Sequence, residues 1–196
     1  MTLHSLPEMD YVIYDEKQID NLVEAVALSI KDFYDLNSET KPENLVVITA
    51  LKGAAPFAEK LAPKLKELGF GIFRDTIRIK SYQGSESSGH VQILKDLNQD
   101  ISGKDVLLVE DILDTGITLK FLIGNLLLRN PKSLSVAVLL DKPLRRRYDV
   151  ESIYPDVRVF KGISIDDLFV VGFGLDYNER YRELPYIGVL KKEVYQ

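Results

Sequence analysis

Val106-Leu107-Leu108-Val109-Glu110-Asp111-Ile112-Leu113-Asp114-Thr115-Gly116-Ile117-Thr118 is the stretch whose reading decides the fold. Four apolar residues form a buried strand over Asp105–Val109, an acidic pair closes it, and a Gly flanked by threonines opens a helix over Leu119–Leu128. Three carboxylates, Glu110, Asp111 and Asp114, are read as crowding one strand-to-helix turn. Thr115, Gly116, Ile117 and Thr118 offer backbone N–H groups and hydroxyls at a helix N-terminus, a site suited to a phosphate dianion. Gly116 lets the backbone approach such a group closely. Adjacent acids repel phosphate, but they suit ribose hydroxyls or a magnesium ion accompanying a diphosphate.

Outward from this stretch, strands and helices alternate. Ile19, Leu22, Val23, Val26, Ile30 and Phe33 recur at helical spacing, with Asp15 as candidate cap. Residues 45–51 form a β-branched run that ends at Lys52-Gly53, and Phe57, Leu61, Leu65 and Leu68 follow as a helix. Residues 73–80 alternate, with Phe73, Asp75, Ile77 and Ile79 on one face. The polar, glycine-rich segment 81–90 is too hydrophilic to pack and is read as a long mobile loop before a strand at 91–94. Further strands are expected at 134–140, 157–160, 169–171 and 186–190. This order predicts an α/β fold with a mostly parallel central sheet flanked by helices on both faces, and ligands at the carboxyl ends of the strands.

The composition narrows the chemistry. A chain of 196 residues buries about 70% of its unfolded surface, so one domain folds without a metal or disulfide staple. Zero Cys removes thiolate zinc sites, iron–sulfur clusters and cysteine nucleophiles, and leaves hard, oxygen-bound cations as the expected metals. A net charge of -5 argues against a general nucleic-acid or anionic-membrane binder. The apolar runs are too short for a membrane helix, and the first residues lack the features of a signal peptide, so the cytoplasm is the expected location. A phosphoacceptor site of the receiver type does not fit, because its acids belong on separate strand ends.

The full string from Val106 to Thr118 resembles the phosphoribosyl-pyrophosphate motif of type I phosphoribosyltransferases. Three further segments resemble the hypoxanthine-guanine branch of that family: Leu51-Lys52-Gly53, Leu139-Leu140-Asp141-Lys142-Pro143, and the run from Phe169 to Arg182. The resemblance implies a single domain, with a core at about 20–165, a small hood from about 1–19 and 166–196, and a flexible lid at about 81–90. It implies transfer of a 5-phosphoribosyl group from phosphoribosyl pyrophosphate to hypoxanthine or guanine, with Mg2+.

By the same resemblance, Asp114 is the general base and Glu110 and Asp111 serve the ribose and the metal. Lys52, Gly53, Ser81, Tyr82 and Arg182 bind pyrophosphate, and the Lys52–Gly53 bond is the candidate cis peptide. Lys142 meets the purine 6-oxo group, Phe169 stacks on the base, the Val170 backbone touches its edge, and Asp176 reaches magnesium through water. An ammonium at Lys142 donates to a 6-oxo group and meets adenine's amino group donor to donor. Ile117 and Leu168 stand where a Lys is common in mammalian members, and Leu168 is similar to bacterial-type members. Arg145-Arg146-Arg147 is read as a solvated or subunit-contact run, and His90 as incidental.

The partners implied are small molecules, neither nucleic acid nor membrane, and a homo-oligomer, dimer or tetramer. An enzyme preferring xanthine stays open. So does a non-catalytic regulator that senses phosphoribosyl pyrophosphate, which the acidic charge and the base-side residues Lys142 and Phe169 disfavour.

Overall fold

In chain order, β1 (Met9–Tyr14) leads into α1 (Glu16–Asn37), β2 (Leu45–Leu51) and α2 (Ala55–Glu67). Then come β3 (Ile72–Ser81), β4 (Val91–Lys95), β5 (Asp105–Leu113), α3 (Ile117–Leu127) and β6 (Ser133–Asp141). A 3-10 turn at Pro143–Arg145 and the short α4 (Val150–Ile153) precede β7 (Arg158–Ser164), β8 (Val170–Val171), β9 (Ile187–Leu190) and α5 (Lys192–Tyr195). These elements come from a computed structural model that describes residues 6–37, 42–81 and 91–195.

The start of α1 is set by a reciprocal cap: Gln18 N donates to Asp15 Oδ1 at 2.8 Å, and Asp15 N donates to Gln18 Oε1 at 2.9 Å. Ile19, Val23, Val26 and Ile30 form its buried stripe. The helix runs past Phe33 because Tyr34 is buried as well, in edge-to-face contact with Phe70 at 5.5 Å.

Six strands form the main sheet in the order β4-β3-β2-β5-β6-β7, all parallel except the edge strand β4. Residues of β2, β5 and β6 are buried on both faces, as a parallel sheet covered by helices requires. On one side Val47, Leu107, Val109, Ala137 and Leu139 pack against α1 and α2. On the other, Val46, Ile48, Leu108, Val136 and Val138 pack against Leu119, Leu122, Ile123 and Leu126 of α3. A second sheet, three-stranded and antiparallel in the order β1-β9-β8, joins the N-terminal strand to the C-terminal segment.

The strand β5 extends four residues beyond the expected Val109. Its ladder with β6 continues through Glu110↔Val138, Ile112↔Leu140 and Leu113↔Asp141, because β6 itself runs on to Asp141. Glu110 and Asp111 therefore lie on the strand, and only Asp114 lies in the turn. β1 has no counterpart among the expected strands: its exposed Asp10 and Tyr11 break the apolar alternation, and pairing with β9 organises it. On β3 the expected inner face holds at Asp75 and Ile77, while Phe73 is 50% exposed. The buried Asp75 carboxylate is satisfied by Asn98 N and Nδ2, each at 2.8 Å, and by Gln99 N at 3.1 Å.

Candidate active site

The carboxyl ends of β2, β5 and β6 open on the same edge of the sheet. At the end of β5, Glu110 is 7% exposed and its Oε1 has no hydrogen-bond partner. Loss of water, reinforced by the Asp111 charge, pushes the Glu110 carboxyl well above its usual range. Burial raises Asp111 too, although Ile112 N donates to its Oδ1 at 2.9 Å. Gly53 of the β2 turn packs straight onto this pair: a Cβ there would stand 1.8 Å from Asp111 Oδ2.

Beyond β5 the chain turns through Asp114-Thr115 to Gly116, which caps α3 with φ 82°, a left-handed conformation that suits glycine. The first intrahelical bond of α3 runs from Lys120 N to Gly116 O at 2.9 Å. The amides of Ile117, Thr118 and Leu119 thus precede the ladder, and Ile117 N makes only a long 3.4 Å contact with Thr115 Oγ1. This is the anion-binding end of the helix. The turn is braced from outside, since Arg147 N and Tyr148 N donate to Thr115 O at 2.9 and 3.0 Å.

On the β2 side Lys52 pairs with Glu179. Arg182 contacts Asp176 at 2.7 Å and Glu179 at 3.0 Å, and its Nη1 donates to Gly174 O at 2.7 Å. The two cations, Lys52 first, hold the Glu179 carboxyl down to about 2. The loop that carries this network takes left-handed backbone at Phe173, Asn178, Glu179 and Tyr181. The cis peptide lies one bond earlier than expected, at Leu51–Lys52 instead of Lys52–Gly53, where the chain leaves the last paired residue of β2.

At the end of β6, Lys142 is 6% exposed, and its Nζ donates to Leu168 O at 2.5 Å. Burial lowers its pKa, and the nearby Asp114 charge opposes that shift. Leu168 precedes Phe169, so the ammonium stands beside the aromatic segment. Phe169 stacks on Tyr195 at 4.5 Å and meets Tyr177 edge-on at 5.6 Å. Val170 is buried in β8.

The structure therefore gathers Lys52, Gly53, Glu110, Asp111, Asp114–Thr118, Lys142, Phe169, Val170, Asp176 and Arg182 around the strand ends. Tyr82, His90 and the lid between them lie outside the described residues, as does the Ser81 side chain. Within the Arg145–Arg147 run, Arg145 and Arg147 are exposed as expected, but Arg145 also pairs with Asp114 and Asp167, and the half-buried Arg146 pairs with buried Asp141. Glu179 and Tyr195 also enter the site unforeseen. Tyr195 meets Phe169 and Glu179 meets Lys52 from distant parts of the chain, and although Arg182 lies only three residues from Glu179, nothing local marks Glu179 for a role.

Among the described residues no three side chains cluster as a ready metal site. The donors nevertheless fit a hard cation of the magnesium kind, which takes one or two carboxylates and completes its shell with water and substrate phosphates. The orphaned Glu110 Oε1 beside Asp111 is such a partial set.

A family model described as the phosphoribosyl transferase domain matches residues 15–178. The hypoxanthine-guanine phosphoribosyltransferase of Staphylococcus epidermidis is 43% identical over 189 residues, covering 96% of this chain and 97% of that protein. The chain belongs to the hypoxanthine-guanine phosphoribosyltransferase family. The Staphylococcus aureus member of this phosphoribosyltransferase family is also 43% identical over 189 residues. A solved hypoxanthine phosphoribosyltransferase from Staphylococcus aureus, 41% identical, superposes with a TM-score of 0.83 over 99% of each chain. That from Trypanosoma cruzi, in complex with the product IMP, is 35% identical with a TM-score of 0.85, covering 98% of this chain and 100% of that one. No described helix of this phosphoribosyltransferase is long and apolar enough to cross a membrane.

Proposed function

We propose that this chain transfers the 5-phosphoribosyl group of phosphoribosyl pyrophosphate to hypoxanthine or guanine, giving IMP or GMP and pyrophosphate in purine salvage. The observation that carries the purine assignment is the Lys142 ammonium, 2.5 Å from the carbonyl of Leu168, the residue before Phe169, at the strand edge shared with Asp114. An ammonium so placed donates to a 6-oxo group, and the ring offers a stacking face for the base. The Val170 backbone borders the base edge.

The open amides of Ile117, Thr118 and Leu119, with Gly116 allowing close approach, and the Thr115 and Thr118 hydroxyls hold the 5-phosphate. Lys52, Gly53 and Arg182 receive the pyrophosphate, with Glu179 giving up its two cations to it. As purine N9 bonds to carbon 1 of the sugar, the carbon 1–oxygen bond breaks and its electron pair leaves with pyrophosphate. Asp114 takes the proton from N7. The sugar passes through an oxocarbenium-like state. Glu110 and Asp111 would hold the ribose hydroxyls or Mg2+, with Asp176 as a further carboxylate donor toward that ion. Bound Mg2+ supplies charge stabilisation for the departing diphosphate.

Initial rates with hypoxanthine, guanine, xanthine and adenine, each with phosphoribosyl pyrophosphate and magnesium and repeated with EDTA, test this reading. Magnesium-dependent IMP and GMP formation with adenine inert is expected. Preference for xanthine would move the assignment within the family, and phosphoribosyl-pyrophosphate binding without turnover on any base would make the chain a sensor.

A further inference from the structure

Arg145 belongs to none of the motifs that mark the site. It ends the 3-10 turn that follows Lys142, and its Nε lies 3.1 Å from Asp114 Oδ1. The pair is an ion contact without hydrogen-bond alignment, and Asp114 Oδ1 is closed off from water. The Asp114 side chain as a whole is 34% exposed, so its exposure lies with its other atoms. The other arm of the guanidinium, Nη1, reaches Asp167 Oδ1 at 3.3 Å. Asp167 precedes Leu168, whose carbonyl receives Lys142 Nζ. One planar fork thus touches the phosphoribosyl loop on one side and the segment leading to Phe169 on the other. The backbone repeats the link, through Arg147 N and Tyr148 N to Thr115 O.

We propose that Arg145 is a positioning residue for purine attack: it holds one oxygen of Asp114 so that the other faces the base, and ties the phosphoribosyl loop to the purine segment. This rests on the reading of Asp114 as proton acceptor. A rigid guanidinium suits the task because it presents several donors in fixed directions, whereas a lysine ammonium is a single flexible point charge. The ion pairs are exposed, so they contribute little to stability and their removal leaves the fold in place. What is lost is alignment, and misplacement by about 1 Å costs up to a hundredfold in rate.

The test compares R145A, R145K, D114N and the double variant D114N/R145A in steady-state kinetics with hypoxanthine and phosphoribosyl pyrophosphate, with thermal melts confirming the fold. R145A is expected to lower kcat about ten- to a hundredfold. KM for phosphoribosyl pyrophosphate changes by less than about threefold, since a transition-state interaction is what is lost. R145K recovers part of the rate. In the D114N background R145A has no further effect, because both changes act through one group. Wild-type kcat in both R145A and R145K, with D114N slow, overturns the positioning role and leaves the acceptor in place, as does a fully additive loss in the double variant. A D114N protein at wild-type rate overturns the acceptor reading and the positioning role with it.

Discussion

The proposed phosphoribosyl side of the site comes from one continuous stretch, Glu110 to Thr118, whereas the proposed purine and pyrophosphate side draws on Lys52, Lys142, Phe169 and Arg182 from three separate segments. Local backbone geometry organises the first: a strand end, a left-handed glycine and the opening turn of α3. The second is held by contacts across the fold, Lys52 with Glu179 and Lys142 with Leu168 O, and by the pairing of Arg182 with Asp176 within its own loop. A motif of the first kind keeps its shape wherever the sheet forms. One of the second kind exists only when every segment has docked, so it is where distant substitutions are felt.

Breaking the continuous side has the largest effect. Asp114→Asn removes the proposed proton acceptor, and turnover is expected to fall about 100- to 10,000-fold. Binding of phosphoribosyl pyrophosphate, measured by KM or calorimetry, changes little. On the assembled side, Lys142→Ala loses one charged hydrogen bond of about 1.5–3 kcal/mol. The ratio of kcat/KM for hypoxanthine over adenine should then fall roughly ten- to a hundredfold. Unchanged discrimination against adenine would separate Lys142 from base reading.

Gly53 is where the two sides touch. Gly53→Ala places a Cβ 1.8 Å from Asp111 Oδ2, and urea denaturation is expected to show a loss of about 1–3 kcal/mol. The smallest effect is electrostatic. In a carboxyl-carbon NMR titration Glu179 should show a midpoint of about 2, moving back toward 4.5 in Lys52→Ala. Because the folded value is depressed, the contribution of this pairing is complete above the ordinary carboxylate range and is lost as pH falls through about 2. A midpoint near 4.5 in the unaltered protein would mean that Lys52 and Arg182 do not hold Glu179 in solution.

The same contrast divides what is legible in the amino-acid sequence from what is not. The alternation of strands and helices predicts the sheet and its helices on both faces, because the burial of β2, β5 and β6 is written as uninterrupted apolar runs. Those runs stop at Val109, so the extension of β5 through Glu110 and Asp111 is not legible: it depends on a ladder to β6 that no local pattern encodes. β1 is hidden for a similar reason, its pairing partner being β9 at the other end of the chain. Arg145 reads along the chain as one of three solvated charges, and it is the 3-10 turn that puts its guanidinium between Asp114 and Asp167.

By itself, then, the sequence determined the α/β class, the strand-to-helix phosphate turn and the residue types that the chemistry requires, since periodicity, turn residues and helix ends act over a few neighbouring positions. Only the tertiary structure decided which cation meets which carboxylate. It joined Glu179 to Lys52, stacked Tyr195 on Phe169 and put Arg145 against Asp114. Side-chain charges and rings act over a few ångströms of space, and residues far apart along the chain come within that reach only after the strands have found their order.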